Sequence, residues 1–362
     1  MKYINIRRKT VCAAFLAAMA ALLCTGCGGN AKSGTIAMIT DGGSTEEAGT
    51  NQDVWQGVQQ YAAETGKTAK VYQPEQADLA SLEQAVDEAV SDGAEIIVCA
   101  GESFENAVYD MQRMERDTRF ILLEGVPENE EGDRKIRGNT SAVLSERAQA
   151  GFLAGYAAVK EGYTSLGFLG GEESEENIRY GSGYVQGANQ AAADLGLAAG
   201  QVTIRYRFLG SDSVSPSLLQ EIQSWYQQGC QLIYACGSAP ELLAEKGAEA
   251  AGGRVINTEP NEAAQSSVVL SAAGTDYCRM AYQALKMEEE GSLPGGKETM
   301  MGISEGGVVL RMENAGFSSF TQTDYDLLVQ RIENGEIRVT EEDVTQNLNN
   351  FEITLVSFSR EN

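Results

Sequence analysis

Carboxylates are the groups most able to do chemistry in this chain. It contains no histidine, and aspartate and glutamate number 52 against 27 lysines and arginines, a formal charge of −25. Three acids stand directly after apolar runs. Asp41 follows Thr35-Ile36-Ala37-Met38-Ile39-Thr40, Glu124 follows Arg119-Phe120-Ile121-Leu122-Leu123, and Glu259 follows Arg254-Val255-Ile256-Asn257-Thr258. Carboxylates so placed can accept hydrogen bonds from a vicinal diol, each charge-assisted bond contributing about 1.5–3 kcal/mol. A pair at the right separation can also hydrolyse a glycosidic bond. The plainer reading of Glu124 and Glu259 is a solvated loop acid or a helix cap. Without histidine, the Ser-His and Cys-His nucleophilic pairs and the commonest metal ligand are excluded. No nucleophile has an activating partner and no acid cluster has metal-ligand spacing, so the expected catalytic residues, metals and cofactors are none.

Cysteine supplies a different chemistry at the start of the chain. Lys2, Arg7, Arg8 and Lys9 precede an apolar run from Val11 to Leu23, which is too short for a permanent membrane span and reads as an export signal. The signal ends in Leu22-Leu23-Cys24-Thr25-Gly26-Cys27, a lipoprotein cleavage box with Cys24 where leucine is usual. Cys27 is the expected lipidated first residue of the mature protein, followed by a tether over 27–34. The alternative is an ordinary secretory signal with an incidental Cys27. Removal of 1–26 takes away four basic residues and no acid, so the mature charge is −25 − 4 = −29. Such a chain excludes nucleic acid as a partner and is repelled by anionic lipid, leaving the lipid as the anchor on the extracytoplasmic face of the cell membrane. Of the remaining cysteines, Cys99 and Cys236 end apolar runs and read as small buried residues; a Cys230–Cys236 disulfide is the competing possibility.

The elements that must position these groups alternate in type. Apolar strand-like runs at 35–39, 70–72, 95–100 and 119–123 are separated by amphipathic segments at 53–64, 79–91 and 104–116. The rhythm restarts with a helix at 145–160, then strands at 165–169, 201–208, 230–236, 254–256 and 267–270. Helices at 179–195, 216–228, 240–251 and 275–290 intervene, and a tail helix at 324–335 precedes a strand at 337–339. Strands alternating with helices of this length predict parallel sheets covered on both faces, and two such series predict two α/β lobes. Ligands of open parallel sheets sit beyond the carboxyl ends of the strands; here those ends are Asp41, Gly101, Glu124, Gly170-Gly171, Gly237 and Glu259.

Several motifs, in order, resemble the basic membrane protein family, lipoprotein solute-binding proteins of nucleoside ABC importers. Ile39-Thr40-Asp41, Asn51-Gln52 and Trp55-Gln56-Gly57 are similar to its opening. Gly151-Phe152-Leu153-Ala154-Gly155 is similar to a family helix, Leu166-Gly167-Phe168-Leu169-Gly170-Gly171 to a family strand, and Gly183-Tyr184-Val185-Gln186-Gly187-Ala188 to the helix after it. Gln228-Gly229-Cys230-Gln231-Leu232-Ile233, Gly302-Ile303-Ser304-Glu305-Gly306-Gly307 and Asn334-Gly335-Glu336-Ile337 match later segments. The resemblance implies a type I periplasmic-binding-protein fold, two doubly wound parallel-sheet lobes joined by three crossovers. The expected division is 35–141 plus 266–292 for the N-terminal lobe and 142–265 plus 293–362 for the C-terminal lobe.

The implied pocket is Asp41, Thr50, Asn51, Gln52, Glu124, Gly237, Glu259 and Ser271. Thr50 stands where the family has a base-stacking aromatic, and Asp212 falls near a second. Leu270-Ser271-Ala272-Ala273-Gly274 lacks a family lysine, and Glu124 and Glu259 replace ribose-binding aspartates. Loss of one stacking aromatic costs about 1–3 kcal/mol. Phe104, Tyr180 and Tyr184 are substitutes, with helix packing as their other reading; Asn51 is alternatively the N-cap of the helix it precedes. The implied function is binding a nucleoside or other small hydroxylated ligand for delivery to an ABC permease. A sensor docking on a membrane receptor, and a carboxylate hydrolase, are the alternatives.

Overall fold

A computed structural model describes residues 34–211, 213–259 and 266–361. The expected export signal, tether and Cys27 lie outside the described residues, and so does Asp212. The first sheet contains Thr35–Ile39 (β1), Thr68–Tyr72 (β2), Ala94–Ala100 (β3), Arg119–Leu123 (β4), Thr140–Ser145 (β5) and, from far later in the chain, Lys297–Met301 (β11). Their order is β11-β5-β4-β3-β1-β2, and every pairing is parallel.

This sheet is buried on both faces, and alternation along each strand divides its core in two. Ile36 and Met38 of β1 pack with Val54 and Val58 of helix α1 (Thr50–Thr65). Ala37 and Ile39 point the other way, toward Leu82 and Val86 of α2 (Leu79–Ser91) and Val108 of α3 (Glu105–Met114).

The second sheet contains Ser165–Gly170 (β6), Val202–Phe208 (β7), Leu232–Cys236 (β8), Arg254–Asn257 (β9), Val269–Thr275 (β10), Val308–Leu310 (β12) and Val356–Arg360 (β13). The order is β12-β10-β9-β8-β6-β7-β13, with only β12 antiparallel to its neighbour. Helices α4 (Arg147–Glu161) and α5 (Glu175–Asp194) cover one face, with Phe168, Tyr206 and Tyr234 beneath them. Helices α6 (Pro216–Gln227) and α7 (Ser238–Ala251) cover the other, over Leu169, Ile233 and Val255.

The chain crosses between the sheets after β5, after β10 and after β11, three crossovers as the type I periplasmic-binding-protein fold requires. Sheet membership moves the expected boundaries. Val269–Thr275 pairs with β9 and belongs to the second sheet, whereas the expected division puts 266–292 whole in the N-terminal lobe. Residues 142–145 finish β5 and 297–301 form β11, both in the first sheet although the expected division puts them in the C-terminal lobe. Helix α8 (Tyr277–Glu289) packs against α1. Parallel partners lie far apart in sequence, so an edge strand such as β11 carries no local mark of which sheet it joins.

Two close helix contacts orient the groups at the seam. A Cβ at Gly151 or Gly155 of α4 would overlap the carbonyl oxygens of Tyr180 or Tyr184 on α5. A Cβ at Gly57 of α1 would likewise overlap the carbonyl of Cys278 on α8. The first contact sets Arg147 beside Tyr180; the second brings Asp53 toward Asp276.

Two further expectations change, and one competing possibility, the Cys230–Cys236 disulfide, falls away. The segment 337–339 is not a strand. Its continuation is held by side chains of α5, Gln186 accepting from the Thr340 N–H at 3.0 Å and donating to the Thr340 carbonyl. Ser145 ends a strand and does not start a helix. Cys230 and Cys236 are buried free thiols, with burial pushing the Cys230 thiol up to about 12.

Candidate functional site

The carboxyl ends of the two sheets meet at a seam. Ser145, last residue of β5, and Thr275, last residue of β10, share a hydrogen bond between hydroxyls at 2.9 Å. Beside them Glu124, immediately after β4, accepts from the Ser145 N–H at 2.9 Å and from the Thr275 hydroxyl at 3.4 Å. Its other oxygen receives Arg147 Nη2 at 2.6 Å. Glu124 holds φ of 51°, a left-handed conformation uncommon for a residue with a Cβ and a mark of a constrained site.

Against this seam lies a cavity of about 190 Å³ lined by Arg147, Glu176, Asn177, Tyr180, Gly237, Thr258, Glu259, Thr275 and Tyr277. Local sequence explains how each wall is held. Ser174 accepts from the Asn177 N–H as N-cap of α5, so Glu176, Asn177 and Tyr180 follow on its first turns. Asp276 caps α8 by accepting from the Arg279 N–H at 2.9 Å, which puts Tyr277 at the first helical position. Thr258 is fixed by Glu241, which accepts from both its N–H and its hydroxyl at 2.7 Å.

Arg147 joins the lobes electrostatically. Besides Glu124 it pairs with Glu176, and its guanidinium lies 5.9 Å from the Tyr180 ring centre. Burial alone would lower its pKa, but the neighbouring Glu124 charge holds it above the usual arginine value.

A second charged group lies in the first lobe, outside the cavity lining. Asp53, buried in α1, is pushed up to about 6 by burial and then by Asp276, against the lowering effect of Arg311; Glu259 raises it further. Asp276 is raised by burial, while the Arg279 N–H and the Arg279 and Arg311 charges oppose the shift. The Tyr277 phenol is held well above its ordinary value by burial, then by Glu124 and Glu259.

The sequence-predicted residues divide by lobe. Gly237 and Glu259 line the cavity. Glu124 stands directly behind it, its carboxylate engaged by Arg147, Ser145 and Thr275. Asp41, Thr50, Asn51 and Gln52 gather at the end of β1 but do not line this cavity. Asn51 donates to Asp41 at 2.7 Å and Gln52 to the Glu46 carbonyl at 3.3 Å. Asn51 is not the helix cap; Gly49 takes that position, without a side-chain bond. Ser271 does not line the cavity: it is buried within β10 and donates to the Arg311 carbonyl at 2.5 Å.

Of the substitute aromatics, Tyr180 lines the cavity, while Phe104 and Tyr184 are core residues. Sequence reasoning missed Arg147, Glu176, Asn177, Thr258, Thr275, Tyr277 and Asp53. The cap serine before Glu175-Glu176 and the Thr275-Asp276 strand-to-helix junction were the available signals. Among the described residues no group of cysteines and acids is arranged to hold a metal.

The chain is similar to known solute-binding proteins. The family model for ABC transporter substrate-binding proteins of the PnrA-like type matches residues 35–343. The chain is similar to the ABC transporter nucleoside-binding protein BmpA of Lactococcus lactis, 23% identical over 347 residues, covering 86% of this chain and 93% of that protein. It is also similar to basic membrane protein D of Borreliella burgdorferi, 23% identical over 326 residues and covering 86% and 89% of the two chains. Among solved structures, an ABC transporter solute-binding protein from Conexibacter woesei superposes with a TM-score of 0.64 at 18% identity, covering 85% of this chain and 99% of that one. A solute-binding protein from Aeropyrum pernix gives 0.62 at 18% identity, covering 89% and 100%. With two wound lobes, a polar cavity at their seam and a family match across most of its length, the chain belongs to the PnrA-like family of ABC transporter substrate-binding proteins.

Proposed function

We propose that this protein is a lipid-anchored, extracytoplasmic receptor that binds a nucleoside or similar small hydroxylated solute between its lobes and presents it to an ABC permease. The observation that carries the reading is the cavity at the strand ends, where Tyr180, Tyr277, Thr258, Thr275, Asn177 and two carboxylates converge. Tyrosine rings offer apolar faces to a planar or sugar ring, and the hydroxyl, amide and carboxylate groups match a diol. About 190 Å³ is below the roughly 300–1,000 Å³ of drug-sized sites, which suits a small solute or one moiety of a larger one. BmpA of Lactococcus lactis is named as nucleoside-binding, which supports that ligand class here.

Binding proceeds by entry into the cleft, capture of hydroxyls by Glu259 and its neighbours, and approach of Asp41, Asn51 and Gln52 from the other lobe as the crossovers flex. Contacts made only in the closed form bias that equilibrium. Glu124 acts in this scheme through Arg147 as a positioning group. The role is binding without bond breaking, and the box at 22–27 supports a lipid on Cys27.

Two measurements test the reading. Mass spectrometry of small molecules released on denaturing the purified protein is expected to yield a nucleoside or relative. Calorimetry with nucleosides, nucleobases and sugars is expected to give micromolar binding to at least one class. Silence across all three classes overturns it.

A further inference from the structure

Resting on that reading of the cleft, we infer that the solute is the single-ring member of its class, an aldopyranose-sized monosaccharide rather than a nucleoside. The first observation is the size of the cavity together with the way its walls are held. About 190 Å³ is little more than the roughly 150 Å³ in which an apolar cavity holds one benzene ring. Tyr180 meets the buried Tyr234 ring edge-on, with centres 6.2 Å apart and planes at 80°. Asn177 donates its side-chain amide to the Glu172 carbonyl at 2.9 Å and its backbone N–H to Ser174 at 3.3 Å. Thr258 is held by Glu241, and β10 runs so close to it that a Cβ at Gly274 would overlap the Thr258 carbonyl. Walls pinned in this way do not part to admit a second ring.

The second observation concerns what would meet that second ring. A base attached to a sugar in the cavity must be received by the first lobe, whose group at the end of β1 is Asp41, Thr50, Asn51 and Gln52. None of these is aromatic, and Asn51 already donates to Asp41 at 2.7 Å. A base without a stacked ring forgoes about 1–3 kcal/mol. The third observation is that the lining is complete for one hydroxyl-bearing ring. Tyr180 and Tyr277 supply apolar faces for the C–H side of a pyranose. Asn177 has spent its N–H2 and keeps a carbonyl oxygen, and Thr258 has spent its O–H on Glu241 and keeps a lone pair. Glu176 keeps an oxygen beside the one that pairs with Arg147. These remaining valences are acceptors, which match a ring whose rim consists of hydroxyl donors. Arg147 is paired with Glu124 and Glu176, which suits an uncharged guest.

Calorimetry on the processed full chain tests this with ribose, xylose, arabinose, glucose and galactose beside adenosine, guanosine, uridine and cytidine. At least one sugar is expected to bind tighter than every nucleoside, by about tenfold. Tyr180→Ala is expected to weaken that sugar by about tenfold, with Asn177→Ala, at a half-buried position, as the second variant should the first not fold. A nucleoside that binds as tightly as the best sugar, or more tightly, overturns the single-ring inference and leaves the hydroxylated-solute reading standing. A preferred sugar held equally well by the parent and the folded variants overturns its placement in this cavity. Silence from every sugar and every nucleoside overturns both the inference and the reading beneath it.

Discussion

Arg147 and Glu124 form an ion pair at 2.6 Å with side chains only 10% and 4% exposed, and it spans the junction of the two lobes. Glu124 follows immediately on a strand of the first sheet, and Arg147 begins the helix that enters the second lobe immediately after the first crossover. The pair accounts for two features at once. It explains why a carboxylate can sit buried at the seam, and why that carboxylate is not free to meet a ligand.

Removing one partner leaves a buried charge uncompensated, so Arg147→Met is expected to destabilise the protein by about 3–5 kcal/mol in urea unfolding. The double variant Arg147→Met with Glu124→Gln is expected to recover much of that loss. If the single and double variants are equally unstable, the pair is not what the seam depends on.

Gly155 tests the close helix contact that sets Tyr180 beside Arg147. Its added methyl in Gly155→Ala would press on the Tyr184 carbonyl, a backbone group that cannot move aside alone. A loss of about 1–3 kcal/mol is expected from thermal unfolding. Gly138→Ala, where a Cβ meets open space, is the control and should change little.

Asp53 gives a pH signature. Its carboxyl is raised from 3.8 to about 6 in the folded chain. Between those values the folded state binds a proton that the unfolded state lacks, so this group's contribution to stability rises as pH falls through about 6 toward 4. Charged Asp53 is destabilising above that window. Asp53→Asn is therefore expected to gain about 1–2 kcal/mol over the parent near neutral pH, allowing for partial solvent screening, with the gain vanishing near pH 4. Unfolding midpoints across that range check the sign.

Cys27→Ser tests the anchor. In a bacterial host the parent is expected in the membrane fraction with a lipid-modified amino terminus by intact mass, and the variant without the lipid. An identical distribution, with masses that differ only by the sulfur-to-oxygen exchange, would remove the lipid from the functional picture.

Much of the architecture was legible in local pattern. The helix Leu79–Ser91 and the strand Arg119–Leu123 fall where periodicity predicts them, because each satisfies its own backbone and burial preference within a short window. The glycines of the Gly151-to-Gly155 and Trp55-Gln56-Gly57 motifs, which carried part of the family resemblance, turn out to be the helix contacts that aim the cleft residues. Glu259 and Gly237 reached the cavity because strand ends of a parallel sheet share one edge. Ser271 did not, since a residue inside β10 lies below that edge.

The amino-acid sequence by itself determined the alternating elements, the acidic and histidine-free chemistry, and the expectation of two wound lobes, all of which depend on residue type and short-range spacing. Only the tertiary structure decided that Lys297–Met301 returns to the first sheet, that Glu124 is held by Arg147, and that Tyr180, Thr275 and Tyr277 share a wall with Glu259. Those relationships join segments that are distant along the chain. Their energies come from packing and burial of charge, which no local run of residues expresses.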